Sequence, residues 1–158
     1  MSAPVSFRLN GSPAQVDETG EAPFLFVLRN QLDLKATHFG CGLEQCGACV
    51  LSIDGQARYS CTLPVSALAG ADVTTPEGLA NDRVGAILLA SFEVEQAGQC
   101  GYCISGILMR LHALLKTERR PSRDMILAAL DKHLCRCGAH GSILRAAERA
   151  VARLGEAV

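Results

Sequence analysis

Residues 41–61 read CGLEQCGACVLSIDGQARYSC, four cysteines at spacings x4, x2 and x11, with three glycines and one Asp54-Gly55 turn among them. What four sulfurs so placed would hold decides how the rest of the chain is read. A second set, Cys100 and Cys103 in CGYC and Cys135 and Cys137 in CRC, uses every remaining cysteine. The eight cysteines therefore divide into four and four.

The chain has 158 residues, enough for one medium domain or two small ones, each needing some staple to stabilise a modest core. A tetrad in each half favours the second arrangement. Fifteen basic and 16 acidic side chains leave a net charge of -1, which creates no field to attract nucleic acid or an anionic membrane. Neither is expected as a partner. The hydrophobic fraction, 49%, is high for a chain with no run approaching a membrane span, so part of the apolar surface is expected to face another subunit. The start, MSAPVSFRLNG, lacks a basic segment followed by an apolar one, and the expected location is the cytoplasm. Under its reducing conditions cysteines serve as metal ligands more readily than as disulfides. The tight spacings of Cys46 with Cys49 and of Cys135 with Cys137 suit sulfurs converging on a metal centre.

Along the chain, Val5, Phe7 and Leu9 alternate with Ser6 and Arg8, and Asn10-Gly11 then provides a hairpin turn. PFLFVLRNQL, 23–32, reads as a short helix with Pro23 in its first turn. ACVLSIDGQARYSC gives a strand, the Asp54-Gly55 turn and a returning strand, and a small β-rich unit closes near Thr75. Pro76 and Gly78 punctuate the chain, and the apolar period then becomes helical. The boundary is placed there, giving units 1–77 and 78–158. Four helices are predicted in the second: roughly 82–97; 103–116, with Ile104, Ile107, Leu108, Leu111 and Leu115 on one face; one capped by Ser122 with Asp124 in its first turn; and one near 142–154 that stops at Gly155.

Four thiolates without histidine suit zinc or an iron–sulfur cluster. For the first tetrad, x4 and x2 followed by a distant fourth cysteine is the plant-type spacing for a [2Fe-2S] cluster. Gly40, Gly42 and Gly47 fit a loop whose N–H groups point at sulfur. The second tetrad, C-x2-C and C-x-C with 31 residues between, is less diagnostic, and zinc is a serious rival there. Its position beside predicted helix ends favours two loops closing over a cluster.

FGCGLEQCGACVLSIDGQARYSC, QCGYCISGIL and LCRCGAH, in this order and over nearly the whole chain, resemble the iron–sulfur subunit of the xanthine oxidase family of molybdenum hydroxylases. The resemblance implies an α+β chain, with a β-grasp domain of the plant-type ferredoxin kind followed by a four-helix domain, each holding one [2Fe-2S] cluster. Cys41, Cys46, Cys49 and Cys61 would bind the outer cluster, and Cys100, Cys103, Cys135 and Cys137 the inner one. It also implies that Gln99 and Cys137 lie against a molybdopterin, of the cytosine dinucleotide type, held by a large partner subunit. Gln99 has the donor and the acceptor that such a contact needs.

The implied role is electron relay, from molybdenum through two clusters to a cytochrome or flavin acceptor. This chain has no catalytic residue of its own. CRCGAHGSILRAAERAV is similar to the small subunits of the nicotinate and isoquinoline branch, so an N-heteroaromatic substrate is expected. An aldehyde-oxidising enzyme is the nearest alternative, and a free-standing electron carrier or a zinc-stabilised module remains open on the residues alone. His38 stands where many relatives of that family have lysine. His112 and His133 are expected as packed or surface side chains, His140 as a cap, and Tyr102 as packed between subunits.

Overall fold

The computed structural model describes residues 4–17 and 21–156. Val5–Leu9 (β1) and Ser12–Val16 (β2) pair antiparallel from Val5 opposite Val16 to Leu9 opposite Ser12. Asn10 and Gly11, at φ of 51° and 87°, form the two-residue turn whose twist matches that of the strands. Phe24–Asn30 (α1) buries Phe24, Leu25, Val27 and Leu28, and the Phe24 ring meets Phe7 of β1 edge to face at 5.6 Å. Pro23 occupies the N-cap, one position before the expected first turn. Val50–Ile53 (β3) and Gln56–Tyr59 (β4) form the second hairpin around Asp54 and Gly55. Asp72–Thr74 (β5) then enters between the hairpins, parallel to β1 and antiparallel to β3, giving the order β2-β1-β5-β3-β4.

The helices are Arg83–Val94 (α2), Ile104–Thr117 (α3), Arg123–Leu130 (α4) and His140–Glu156 (α5). The side chain of Asp82 accepts the Gly85 N–H to cap α2, and that of Ser122 accepts the Met125 N–H to cap α4. The predicted stripe of α3 is buried at Ile107, Leu108, Leu111 and Leu115, while Ile104 is only half-buried. Met109, outside the stripe, is fully buried as well. α3 is covered on two sides, by β3 on one and by helices on the other, so a single-face pattern understates its burial. The expected end of α5 at Gly155 is corrected. The helix starts at His140 and continues through Gly155 to Glu156. Gly155 does not take the left-handed conformation that would end a helix, and it packs against the Arg120 guanidinium.

One apolar cluster runs from Phe7, Val50, Leu51 and Val73 of the sheet to Leu88, Ile107, Leu111, Ile143 and Ala146 of the helices. Each fully buried Leu or Ile among these stabilises the fold by roughly 1.5–3 kcal/mol relative to exposure. Ala146, Ala147 and Ala150 give α5 a small-residue face, buried in the part of the core where α2 packs. The segment at the expected boundary is a 3-10 turn, Pro76–Asn81. Asn10 clasps it to the first hairpin, its side-chain amide donating to Thr75 Oγ1 at 3.0 Å and accepting the Thr75 N–H at 2.9 Å. Among the described residues no helix is long and apolar enough to cross a membrane.

Candidate metal centres at two cysteine tetrads

The first three cysteines of the chain lie on an irregular loop between α1 and β3. Its start is pinned by the Arg29 guanidinium, which donates to the carbonyls of Lys35 and Thr37. Gly42, Glu44 and Gly47 all have positive φ, 69°, 58° and 78°, so the loop coils tightly and turns its amides inward. The N–H groups of Leu43 and Gln45 point at Cys41 Sγ at 3.3 and 3.2 Å, and that of Cys41 points at Cys46 Sγ at 3.3 Å. A Cβ on Gly40 would lie 2.5 Å from Cys46 Sγ. Cys49 ends the loop and Cys61 follows β4. Both are buried, covered by Leu25 and Tyr59.

Burial alone would raise the Cys41 thiol, but the Leu43 and Gln45 N–H groups outweigh it and bring the pKa down to about 7. Cys49 goes the other way. Burial, with the adjacent Cys61 thiol, pushes it up to about 12.

Cys100 and Cys103 flank a turn at Gly101, with φ of 82°, and Cys103 is the N-cap of α3. Cys135 and Cys137 lie between α4 and α5, where the Gly138 N–H returns to the Cys135 carbonyl at 3.2 Å. Cys103 is pushed up to about 12, chiefly by burial, with Cys135 beside it. Cys100 is lowered by the Tyr102 N–H and by Cys137. Burial would raise Cys135, but the Ala139 N–H, the Cys103 thiol and further amides lower it.

The thiols act on one another within each set: Cys41 with Cys46, Cys49 with Cys61, and Cys100, Cys103, Cys135 and Cys137 among themselves. All eight are free. Four thiols in each group, with N–H donors aimed at sulfur in the first, fit the all-thiolate donor set of a two-iron cluster.

The segments that carry the two tetrads are in contact. The Leu134 N–H donates to the Cys46 carbonyl at 3.1 Å, and His133 is buried against Gly47. His133 Nε2 accepts from Arg110 Nε at 3.3 Å, and burial, then the Arg110 charge, lowers its pKa to about 4. Before the first cysteine of that loop, His38 stacks on Tyr102 at 4.4 Å. His133 is packed, as expected, but sequence reasoning linked neither it to Gly47 nor His38 to Tyr102, because no periodicity connects residues so far apart in the chain. The glycines at 47 and 106 were the available signal.

His112 is buried with Nε2 against Asp82 Oδ2 at 2.8 Å, and His140 is the exposed first residue of α5. Gln99 is exposed, beside a cavity of about 440 Å³ lined in part by Leu79, Phe92, Gly101 and Leu108. Cys137 is half-buried.

A family model described as a [2Fe-2S] binding domain matches residues 75–148. One of the subunits of nicotinate dehydrogenase from Pseudomonas putida is 43% identical over 150 residues, 95% of this chain and 96% of that protein. The alpha subunit of isoquinoline 1-oxidoreductase from Brevundimonas diminuta is 46% identical over 147 residues, 92% of this chain and 96% of that protein. Among solved structures, quinoline 2-oxidoreductase from Pseudomonas putida 86 superposes with a TM-score of 0.89 at 28% identity, over 98% of this chain and 97% of that one. Aldehyde oxidoreductase from Desulfovibrio desulfuricans superposes with a TM-score of 0.90 at 31% identity, over 98% of this chain but 17% of that one.

Proposed function

Because this chain belongs to the iron–sulfur subunits of the xanthine oxidase family of molybdenum hydroxylases, we propose that it is the electron-transfer subunit of an enzyme that hydroxylates an N-heteroaromatic compound such as nicotinate. The observation that carries the reading is the set of eight free thiols in two groups of four, with backbone N–H groups aimed at sulfur in the first. Cys41, Cys46, Cys49 and Cys61 would hold an outer [2Fe-2S] cluster, and Cys100, Cys103, Cys135 and Cys137 an inner one. Bound there, the clusters supply a one-electron route from a molybdopterin centre in a large partner subunit to an external cytochrome or flavin.

The chain's own residues prepare that route. The amides of Cys41, Leu43 and Gln45 favour negative charge on the sulfurs of the exposed loop. Leu25 and Tyr59 keep water from Cys49 and Cys61. The raised pKa values of Cys49 and Cys103 mean that loading iron at those positions releases protons.

In this reading residues 1–77 are a β-grasp unit and 78–158 a four-helix unit, and the complex works in the cytoplasm. Gln99 and Cys137 face the pterin of the partner, and the exposure of Gln99 leaves its amide available for that contact. The exposed Phe39 and Leu43 beside Cys41 provide an apolar border for an acceptor at the outer tetrad. Identities of 43% and 46% to the nicotinate and isoquinoline proteins favour a heteroaromatic substrate. The superposition on aldehyde oxidoreductase supports an aldehyde as the second reading. The test is co-purification from the native source: the reading requires a large chain carrying molybdopterin, and recovery of this chain alone with zinc would refute it.

A further inference from the structure

His38 precedes the first cysteine by three residues, and Tyr102 sits between Cys100 and Cys103. Although 64 residues apart in the chain, their rings stack with centroids 4.4 Å apart and planes inclined by 15°. His38 Nδ1 lies 2.9 Å from the carbonyl oxygen of Tyr102. A carbonyl only accepts, so Nδ1 carries the hydrogen, and Ser105 Oγ, 3.2 Å from the same nitrogen, is a second partner. The Tyr102 hydroxyl donates in the opposite direction, to the carbonyl of Phe39. Each residue thus reaches across and bonds the segment that carries the other.

Burial of the Tyr102 ring does not account for the stack. Tyr102 is 52% exposed, and the apolar side chains that anchor α3 lie further along it, at Ile107, Leu108 and Leu111. What the pair does is join the loop before Cys41 to the turn between Cys100 and Cys103. A second joint runs from the Leu134 N–H to the Cys46 carbonyl. With this joint and the close approach of Gly106 and His133 to Gly47, the pair adds the link at the Cys41 and Cys100 end of the two loops.

We infer that His38 and Tyr102 form a bridge that fixes the separation and orientation of the two tetrads, and with it the coupling between the centres they hold. The inference rests on the reading of each tetrad as a cluster site. His38 and Tyr102 act as positioning residues, touching neither iron nor substrate.

The experiment uses the full cluster-loaded chain, fully reduced, and measures the magnetic interaction between the two clusters by electron paramagnetic resonance beside iron and sulfide content. That interaction depends steeply on separation, and a merely stabilising contact would not move it. His38→Ala is expected to keep both clusters and the g-values of each, and to lose interaction splitting. Tyr102→Phe, which retains the stack and the Nδ1 bond, should lose less, and His38→Gln, whose amide N–H can donate to the Tyr102 carbonyl, should recover part of the loss. Unchanged splitting in His38→Ala overturns the bridge, as does loss of either cluster in that variant. If His38→Ala does not fold, unchanged splitting in Tyr102→Phe overturns it. Failure of the cluster reading appears separately, as fewer than two paramagnetic centres in the wild type, and removes the bridge with it.

Discussion

Gly106 stands so close to the carbonyl oxygen of Gly47 that a Cβ built on it would lie 1.9 Å away. The second residue after the N-terminus of α3 therefore rests directly on the loop of the first tetrad. Only a glycine at 106 lets the helix capped by Cys103 come this near to the loop that carries Cys46 and Cys49.

Gly106→Ala should lower stability although alanine is the better helix former. The propensity gain is about 0.8–1 kcal/mol. A backbone contact at 1.9 Å instead forces α3 off the loop, an overpacking cost of roughly 1–3 kcal/mol or more. A urea midpoint below that of the wild type is expected, and an increase would show that the contact yields freely.

Asp82 caps α2 by accepting the Gly85 N–H at 2.8 Å, and it also meets His112 at 2.8 Å and Lys116 at 3.4 Å. Partial burial would raise its carboxyl, but the Gly85 N–H, then His112 and Lys116, hold it below the ordinary aspartate value. The folded protein then binds the acid proton more weakly than the unfolded chain. The stabilisation is complete above the ordinary aspartate pKa and is lost as pH falls through the lowered folded value. Asp82→Ala should cost about 1 kcal/mol at neutral pH, and Asp82→Asn, which keeps a capping oxygen, should flatten the acid-side fall in thermal midpoint. An acid limb of unchanged slope in Asp82→Asn would remove the carboxylate from the account.

Cys46→Ser and Cys103→Ser should separate the two centres. The first is expected to abolish the cluster of the exposed loop and spare the other, and the second to do the reverse. Loss of both signals from a chain that remains folded would mean that the ligands are partitioned differently.

Gln99→Ala should leave both clusters intact and weaken the link to the partner subunit. One or two hydrogen bonds, each worth on the order of 1 kcal/mol net, would be removed at that contact. Stopped-flow reduction of the clusters by substrate in the reconstituted complex should slow, or the molybdopterin should be lost more readily on gel filtration. Equal rates and equal retention would leave Gln99 without this role.

Both hairpins were legible from alternation and their Asn-Gly and Asp-Gly turns, because local backbone chemistry alone specifies them. The helices were legible from period and caps, except that α5 does not stop at Gly155. A glycine ends a helix only where the chain turns left-handed, and Gly155 does not take that conformation. The cysteine spacing brought the tetrads into view but not the contacts between them. Gly47 with Gly106, Cys46 with Leu134 and His38 with Tyr102 depend on how α3 crosses the sheet, a long-range arrangement that no sequence period encodes.

The central claim is that two cysteine tetrads hold two iron–sulfur clusters, and iron and acid-labile sulfide analysis of the purified chain, paired with electron paramagnetic resonance after reduction, tests it most directly. The account predicts about four iron and about four sulfide per chain, two irons for each tetrad, with two distinguishable signals. Stoichiometric zinc with no sulfide, or a single signal with about half that iron, would contradict it.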